Sequence, residues 1–319
     1  MAIEIPQVKK ESEIHGALFR DFAIFSKQTY AYKEKEVCGV LFGDDNILKY
    51  YSKEDNKIYE LAKVRWIWSI LADAERGEIY FGSWESWKAN IHHVYSLFSK
   101  FKSERNCGIE FIIKYKDEIL DGGSYGLVKT LTDEVLISKK DMERNYVIEI
   151  KSLFVDENQN LYALVCNKDD TYSIITLLEN SGRYSLGEEI LHYDVKHPYK
   201  CQAITVPGKL KGLNGKTYPF SIISCVNLKY LDINGEKMKK SKVKSKFKQI
   251  ERIALLSSSP NKIELIYSGH GLNEIAKVEI ENGKVKKKET LVYGLSRFVY
   301  ALEPVFDKKF HEKLVGKKK

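Results

Sequence analysis

Short apolar runs separated by turn residues extend along most of this chain. The clearest example is residues 147–193, where four runs rich in Ile, Leu, Val and Tyr are broken at 156–158, 167–170 and 180–182. Runs of this kind, bounded by Asn, Asp, Ser and Gly, are typical of β-strands in an antiparallel meander. A single four-stranded meander cannot bury its apolar face alone, so we expect the unit to recur.

The unit recurs with a step of about 40 residues, as in propeller arrays. A Gly- and Lys-rich insertion at 207–218 lengthens one step. The sequence therefore predicts an all-β fold, a single β-propeller of six four-stranded blades. Seven blades are the alternative, because the region up to residue 63 can be divided differently. The second strands of the six units centre near Gly39, Ile79, Ile119, Leu161, Phe220 and Ile263.

One further apolar strand, residues 296–306, is left over at the end of the chain. A propeller ring closes when a terminal strand joins the opposite end, which removes two exposed sheet edges. We therefore expect closure by this strand, followed by a basic, solvated tail at 307–319. The predicted blades are 15–63, 64–105, 106–146, 147–196, 197–248 and 249–294.

Two stretches near the N-terminus carry a resemblance. The sequence HGALFRDFAIFS, followed in the next unit by EIYFGSW, resembles the opening of an uncharacterised family of thermophilic archaeal proteins that are predicted β-propellers. Ser83 stands where the family pattern has a second glycine. The resemblance covers about the first third of the chain and implies the propeller fold without implying an activity.

The amino-acid composition is similar to that of thermophilic proteins and predicts a surface that carries charges of both signs. Charged residues make up 30% of the chain with only three Met, a usage that suits ion-pair networks. Lys and Arg exceed Asp and Glu by 52 to 44, which favours a solvated surface of both signs over a dedicated polyanion binder. No secretion signal and no membrane-length apolar run are visible, so we expect a cytoplasmic monomer without membrane contact.

The cysteines and histidines show no metal-ligand spacing. The five cysteines lack CxxC pairs, and we expect buried free thiols, with a Cys166–Cys225 bridge as the alternative. Adjacent His92 and His93 point to opposite faces of a strand. A metal site from His15, His197 and His270 is conceivable, but the sequence favours no metal and no cofactor.

The most unusual loop residues belong to one face. In a propeller, the loops between second and third strands and the links between blades converge at one mouth of the channel. Trp residues at loop tips either cap the core or bind something. We expect these loops to bind a protein partner or a small ligand, and the candidate residues are Trp84, Glu85, Trp87, Tyr125, His197, His270 and Arg297.

Two other functions remain open beside this non-enzymatic binding scaffold. A propeller-type metal-dependent hydrolase or lactonase would need channel-facing carboxylates, for which Glu85, Asp121 and Glu274 are the candidates, although no nucleophile motif is present. A nucleic-acid-associated protein would use the lysine-rich segment 237–248, read as an edge strand. Its candidate residues are Lys242, Lys244, Lys246 and Lys248.

Overall fold

The strands of this protein form six four-stranded antiparallel sheets and one short two-stranded sheet. The structure is a computed structural model. It describes residues 18–19, 35–64, 66–86, 89–96, 103–106, 109–195, 201–243, 248–259, 262–296 and 299–316.

The six sheets are numbered in the order in which they occur along the chain. The strands of each sheet are given from the first to the fourth, and the first strand of sheet 1 comes from the C-terminal part of the chain. Sheet 1 contains β26 (Val299–Val305), β3 (Gly39–Asp44), β4 (Ile47–Ser52) and β5 (Lys57–Lys63). Sheet 2 contains β6 (Ile67–Asp73), β7 (Glu78–Ser86), β8 (Ala89–Ser96) and β9 (Ser103–Asn106). Sheet 3 contains β10 (Ile109–Tyr115), β11 (Glu118–Gly123), β12 (Gly126–Lys129) and β13 (Glu134–Ser138).

The second half of the chain repeats the arrangement. Sheet 4 contains β14 (Val147–Val155), β15 (Leu161–Asn167), β16 (Tyr172–Asn180) and β17 (Arg183–Tyr193). Sheet 5 contains β18 (Ala203–Lys211), β19 (Thr217–Ser224), β20 (Asp232–Ile233) and β21 (Glu236–Lys237). Sheet 6 contains β22 (Arg252–Ser258), β23 (Lys262–Ser268), β24 (Glu274–Glu281) and β25 (Lys284–Tyr293). The separate pair is β1 (Leu18–Phe19) with β2 (Lys35–Glu36), and the helices are α1 (Lys139–Arg144) and α2 (Lys308–Leu314).

The first strands of the sheets form a closed ring. Each contacts the first strand of the next sheet, in the order β26, β6, β10, β14, β18, β22 and back to β26. The C-terminal β26 pairs antiparallel with β3, with Val305 opposite Gly39. The fold is therefore a β-propeller closed by a terminal strand, as the sequence predicted.

Burial decreases from the inner to the outer strands of a sheet. Every residue of β3 is buried, whereas most residues of the outermost strands β17 and β25 are exposed or half-buried. Inner strands therefore read as nearly continuous apolar runs, since both their faces are covered. Glycines permit the closest contacts between sheets: a Cβ atom on Gly43 would lie 2.7 Å from Ile67 of sheet 2, and one on Gly122 would lie 2.6 Å from Ile150 of sheet 4.

The first sheet differs from the sequence prediction. The predicted blade 15–63 was expected to supply all four of its strands, but the first, inner position belongs to β26, and β1 pairs with β2 outside the six sheets. Because the terminal strand occupies that position, sheet 1 needs only three strands from the N-terminal region. Residues 1–17 and 20–34 lie outside the described residues.

The lysine-rich segment of sheet 5 is also different from the prediction. The fourth strand, β21, contains only Glu236 and Lys237, and residues 238–243 form turns and irregular backbone. Met238 and Val243 are buried, and the Ser241 hydroxyl donates to the Met238 carbonyl at 2.8 Å and accepts the Leu231 N–H at 3.2 Å. These contacts hold the segment as a packed loop, so the predicted edge strand is wrong for the part that is described.

The C-terminal region is a docked helix rather than a solvated tail. Asp307 caps α2, because its Oδ1 accepts the Phe310 N–H at 2.7 Å. Phe310 and Leu314 are buried in an apolar cluster with residues of sheets 1 and 2, while Lys308, Lys309 and Lys313 stay exposed. The lysines were the reason for predicting a solvated tail, whereas Phe310 and Leu314, four residues apart, anchor the segment in the apolar cluster.

None of the cysteines that are described, Cys38, Cys166, Cys201 and Cys225, is in a disulfide, so a Cys166–Cys225 bridge does not form. Burial raises the pKa of Cys225 to about 12, which makes this thiol unreactive at neutral pH. Within the described ranges, no helix has the length and apolar character needed to cross a bilayer.

Candidate ligand-binding groove

A small cavity lies where the six innermost strands converge. Its lining comes from all six innermost strands, and its volume is about 40 Å³, room for only a few water molecules. Arg252, which is 4% exposed, donates through Nη2 and Nε to the Trp68 carbonyl oxygen at 2.9 and 3.2 Å. Glu303, 2% exposed, accepts the Ala72 N–H at 3.4 Å. These two buried charges therefore fasten the strands around the cavity to one another.

The carboxylates considered for a hydrolase do not line this cavity where their side chains are described. Asp121 is buried on β11, the second strand of sheet 3, and burial raises the pKa of its carboxyl to about 7. Glu274 begins β24 and accepts the Thr290 hydroxyl at 2.9 Å. The side chain of Glu85 lies outside the described residues. Within those residues, no group of three or more His, Cys, Asp or Glu side chains could hold a metal ion.

The structure places part of the predicted binding residues on one face of the ring. We call the face that carries the hairpins between second and third strands the loop face. Trp84 and Glu85 lie near the end of β7, Tyr125 lies in the β11–β12 hairpin with 64% of its surface exposed, and half-buried His270 lies in the β23–β24 turn. Sheets 3 and 6 are opposite each other in the ring, so Tyr125 and His270 are on opposite sides. Trp87, His197 and Arg297 lie outside the described residues.

The lysine candidates for nucleic acid are placed only in part. Lys242 is exposed and its carbonyl oxygen accepts from Lys288 Nζ of β25 at 3.4 Å, whereas Lys248 is half-buried. Lys237 Nζ lies 3.7 Å from the centre of the Tyr230 ring. Lys244 and Lys246 lie outside the described residues.

The loop face of sheet 4 contains a groove with a volume of about 300 Å³. One wall is the link from α1 to β14, which contributes Asn145 and the half-exposed Tyr146. The other walls are the β15–β16 hairpin and strands β16 and β17. The Tyr146 carbonyl accepts the Lys168 N–H at 2.9 Å, which ties the link to the hairpin. We call this space the sheet 4 groove.

Side chains in the groove form one continuous hydrogen-bonded chain. Its first half runs from Asp169 through Thr171 and Asn167 to Ser173. Because a carboxylate only accepts, the Thr171 hydroxyl donates to Asp169 Oδ1 at 2.6 Å. Asn167 Nδ2 then donates to Thr171 Oγ1 at 3.0 Å and to Ser173 Oγ at 2.8 Å. The hydroxyl and N–H of Thr171 keep the pKa of the Asp169 carboxyl below its usual value, so Asp169 is ionised.

The second half of the chain fixes the tautomer of a histidine. Buried Ser173 donates its hydroxyl to Glu189 Oε1. His192 lies opposite Ser173 in the β16–β17 register, with Nδ1 2.9 Å from the same Glu189 oxygen and 3.3 Å from Ser173 Oγ. Since Glu189 Oε1 is an acceptor, Nδ1 donates the proton of this contact, and Nε2 is the ring nitrogen that accepts a hydrogen bond whenever the ring is neutral. This arrangement differs from a catalytic triad, because the serine hydroxyl and the carboxylate share one ring nitrogen.

Sequence reasoning placed the functional face at the loops between second and third strands, of which the break at 167–170 is one, but missed Ser173, Glu189 and His192 as a group. The three residues stand on different strands, and only the register of β16 with β17 brings them together. That register includes irregularities at Ile174 to Leu177, which no sequence pattern indicates.

Comparisons with known proteins identify no relative in sequence and several similar folds. No family model and no curated protein match the chain. Similar solved structures include a protein from Bacteroides uniformis provisionally assigned as a 6-phosphogluconolactonase, with 12% identity, a TM-score of 0.48 and coverage of 79% of this chain and 82% of the other. A PQQ-bound aldose sugar dehydrogenase from Streptomyces coelicolor has 11% identity, a TM-score of 0.46 and coverage of 76% and 90%. The periplasmic gluconolactonase PpgL of Pseudomonas aeruginosa has 8% identity, a TM-score of 0.44 and coverage of 84% and 98%.

Proposed function

We propose that this protein is a binding protein whose sheet 4 groove takes a small polar ligand. The observation that carries the proposal is the contrast between two spaces: a cavity of about 40 Å³ between the six innermost strands, and a groove of about 300 Å³ lined by connected polar side chains. Small-molecule sites are concave, start at roughly 300 Å³ and contain a few fixed polar groups.

The groove also has the rigidity that a binding site needs. Asn167 is paired with Val147, and Ser173 with Val165 and His192, so both stand on the sheet. The hydrogen-bonded chain connects the Asp169 and Glu189 side chains to these two residues. A preorganised site loses little conformational entropy when a ligand binds, so it gains affinity from each contact.

The test uses three six-carbon sugars of different charge as probes: glucose, glucosamine and glucose 6-phosphate. We expect at least one to bind, and to shift amide NMR signals of residues 145–147, 167–173 and 187–192. His192→Ala should weaken that binding about tenfold, the loss expected for one good hydrogen bond. Tyr125→Ala, at an exposed tip of the same face, is the control and should leave affinity unchanged.

The opposite pattern would overturn the proposal. If Tyr125→Ala weakens binding and His192→Ala does not, the loop tips named from the sequence form the site. If none of the three probes shifts groove signals, the groove is not a site for small polar ligands.

A second candidate function, hydrolysis of a neutral ester or lactone, is favoured by the geometry of His192. Glu189 orients the ring, so Nε2 can take a proton from water while the water oxygen attacks a carbonyl carbon, and can return that proton to the departing oxygen. Two carboxylates beside a developing oxyanion oppose this reaction, which is why binding comes first. Glucono-δ-lactone hydrolysis that exceeds the buffer rate and disappears in His192→Ala would support the hydrolase.

A further inference from the structure

Hydrogen-bond acceptors outnumber donors in the sheet 4 groove. In the chain of side chains from Asp169 to His192, both N–H groups of Asn167 and both hydroxyl protons, of Thr171 and Ser173, are already donated. The contacts of the two carboxylates use one oxygen of each, Asp169 Oδ1 and Glu189 Oε1. The acceptors left over are Asp169 Oδ2, Glu189 Oε2 and, in the neutral form of the ring, His192 Nε2, and these side chains have no other partner in the described part of the chain.

The charged side chains that line the groove are also acidic. Two carboxyl groups, those of Asp169 and Glu189, line the groove, and Asp169 is ionised because Thr171 holds the pKa of its carboxyl below the usual value. Lys168, on the same hairpin, turns its Nζ to the Tyr146 ring at 5.9 Å from the ring centre instead of pairing with either carboxylate. The aromatic face at the rim therefore already attracts one cation, as aromatic faces do.

We propose that the natural ligand of the groove carries a protonated amine together with hydroxyl groups, as an amino sugar or amino alcohol does. An ammonium group has three donors and no acceptor, so it complements three free acceptors without leaving a polar group unpaired. Hydroxyl groups can donate to whichever acceptor the ammonium does not reach. This inference rests on the proposed function, since it names the ligand class of the same site.

The same groups select against anions. A phosphate or carboxylate in the groove would face two carboxylates and find no unused side-chain donor in the network. Unpaired acceptors and like charges in a partly desolvated site are costly, and such mismatches give the largest discrimination between similar ligands.

The test compares glucosamine with glucose, which has a hydroxyl group in place of the ammonium group, and with glucose 6-phosphate. Isothermal titration at neutral pH and low salt should give glucosamine at least about tenfold tighter binding than glucose, and no measurable binding of glucose 6-phosphate. Added salt should weaken glucosamine binding and leave glucose binding unchanged.

Two matched variants separate groove charge from overall charge. Asp169→Asn with Glu189→Gln removes both groove carboxylates and should abolish the preference for glucosamine over glucose. Asp170→Asn with Glu188→Gln removes two charges from the neighbouring positions, where Glu188 contacts Asn214 and Lys216 outside the groove, and should keep the preference.

Each outcome decides between the two proposals. Equal affinity for glucosamine and glucose, with binding still lost in His192→Ala, overturns the inference and leaves the proposed function standing. Tighter binding of glucose 6-phosphate also overturns it. An equal loss of preference in both double variants shows that the preference comes from overall charge and refutes the inference. No groove binding of any probe refutes both.

Discussion

Removing the Phe310 side chain should destabilise the whole ring, although the residue belongs to a lysine-rich C-terminal segment. Phe310 is 1% exposed and packs in the cluster that joins α2 to sheets 1 and 2. Phe310→Ala leaves a cavity in that cluster, and substitutions of this kind cost about 3 to 5 kcal/mol. Domains are stable by only about 5 to 15 kcal/mol, so this is a large fraction of the total.

A polar contact beside Phe310 adds to the effect of disturbing the helix. Tyr50, fully buried on β4, places its hydroxyl 2.8 Å from His311 Nδ1, and His311 Nε2 lies 3.1 Å from Glu54 Oε2. Burial raises the pKa of Tyr50 well above its ordinary value, so its hydroxyl stays protonated. If α2 shifts, this hydroxyl loses its partner, which costs about a further 1 to 3 kcal/mol.

The assay is urea unfolding at 25 °C, followed by circular dichroism and tryptophan fluorescence so that coincident transitions support a single step. Lys309→Ala is the control, since Lys309 is exposed on the same helix and should change the free energy of unfolding by less than about 0.5 kcal/mol. A loss below about 1 kcal/mol for Phe310→Ala would refute this account of the helix and support the solvated tail expected from composition.

Two further predictions concern ring closure and pH. Deleting residues 299–319 removes β26, which pairs with β3 and contacts β6 and β22. The melting temperature should therefore fall far more than it does when residues 317–319 alone are deleted. Equal melting temperatures for the two deletions would contradict closure by a terminal strand. Burial raises the pKa of Asp121 to about 7 in the folded state, so the unfolded chain loses this proton at a lower pH than the folded protein does. The free energy of unfolding should therefore fall as the pH rises from about 4 to about 7, by at most about 1.4 kcal/mol per pH unit. Asp121→Asn should flatten that part of the stability profile measured by urea unfolding, and an unchanged slope would show that Asp121 does not titrate there.

The sequence predicted the inner strands well because their burial leaves a simple pattern. β14 was predicted at its observed bounds, since its apolar run is nearly continuous and ends at Asp156. Asp156 itself forms the turn, where its side chain accepts the N–H groups of Asn158 and Asn160 at 2.9 Å. Turn chemistry and apolar runs are local signals, so they can be read without knowing the fold.

The outer parts of the fold depend on contacts that a local pattern does not contain. The segment 238–243 looks like an alternating strand, but buried Met238 and Val243 and the bonded Ser241 hydroxyl hold it as a loop. For α2, a local signal did exist: an Asp cap followed by apolar residues four apart. The prediction of a solvated tail was based on the many lysines of the segment and did not use that signal.

The candidate site lies at the outer strands for a physical reason. Inner strands are held on both sides by neighbouring sheets, so charges there, such as Arg252 and Glu303, are used for bonds between strands. The third and fourth strands of sheet 4 are less constrained by burial, so polar side chains are tolerated on them. Cross-strand pairing places the side chains of opposite residues about 5 Å apart. Ser173 and His192 are one such pair, and Glu189 reaches both because the ladder is irregular next to it. A shift of one residue in that ladder would turn His192 to the opposite face, so the groove depends on register more than on composition.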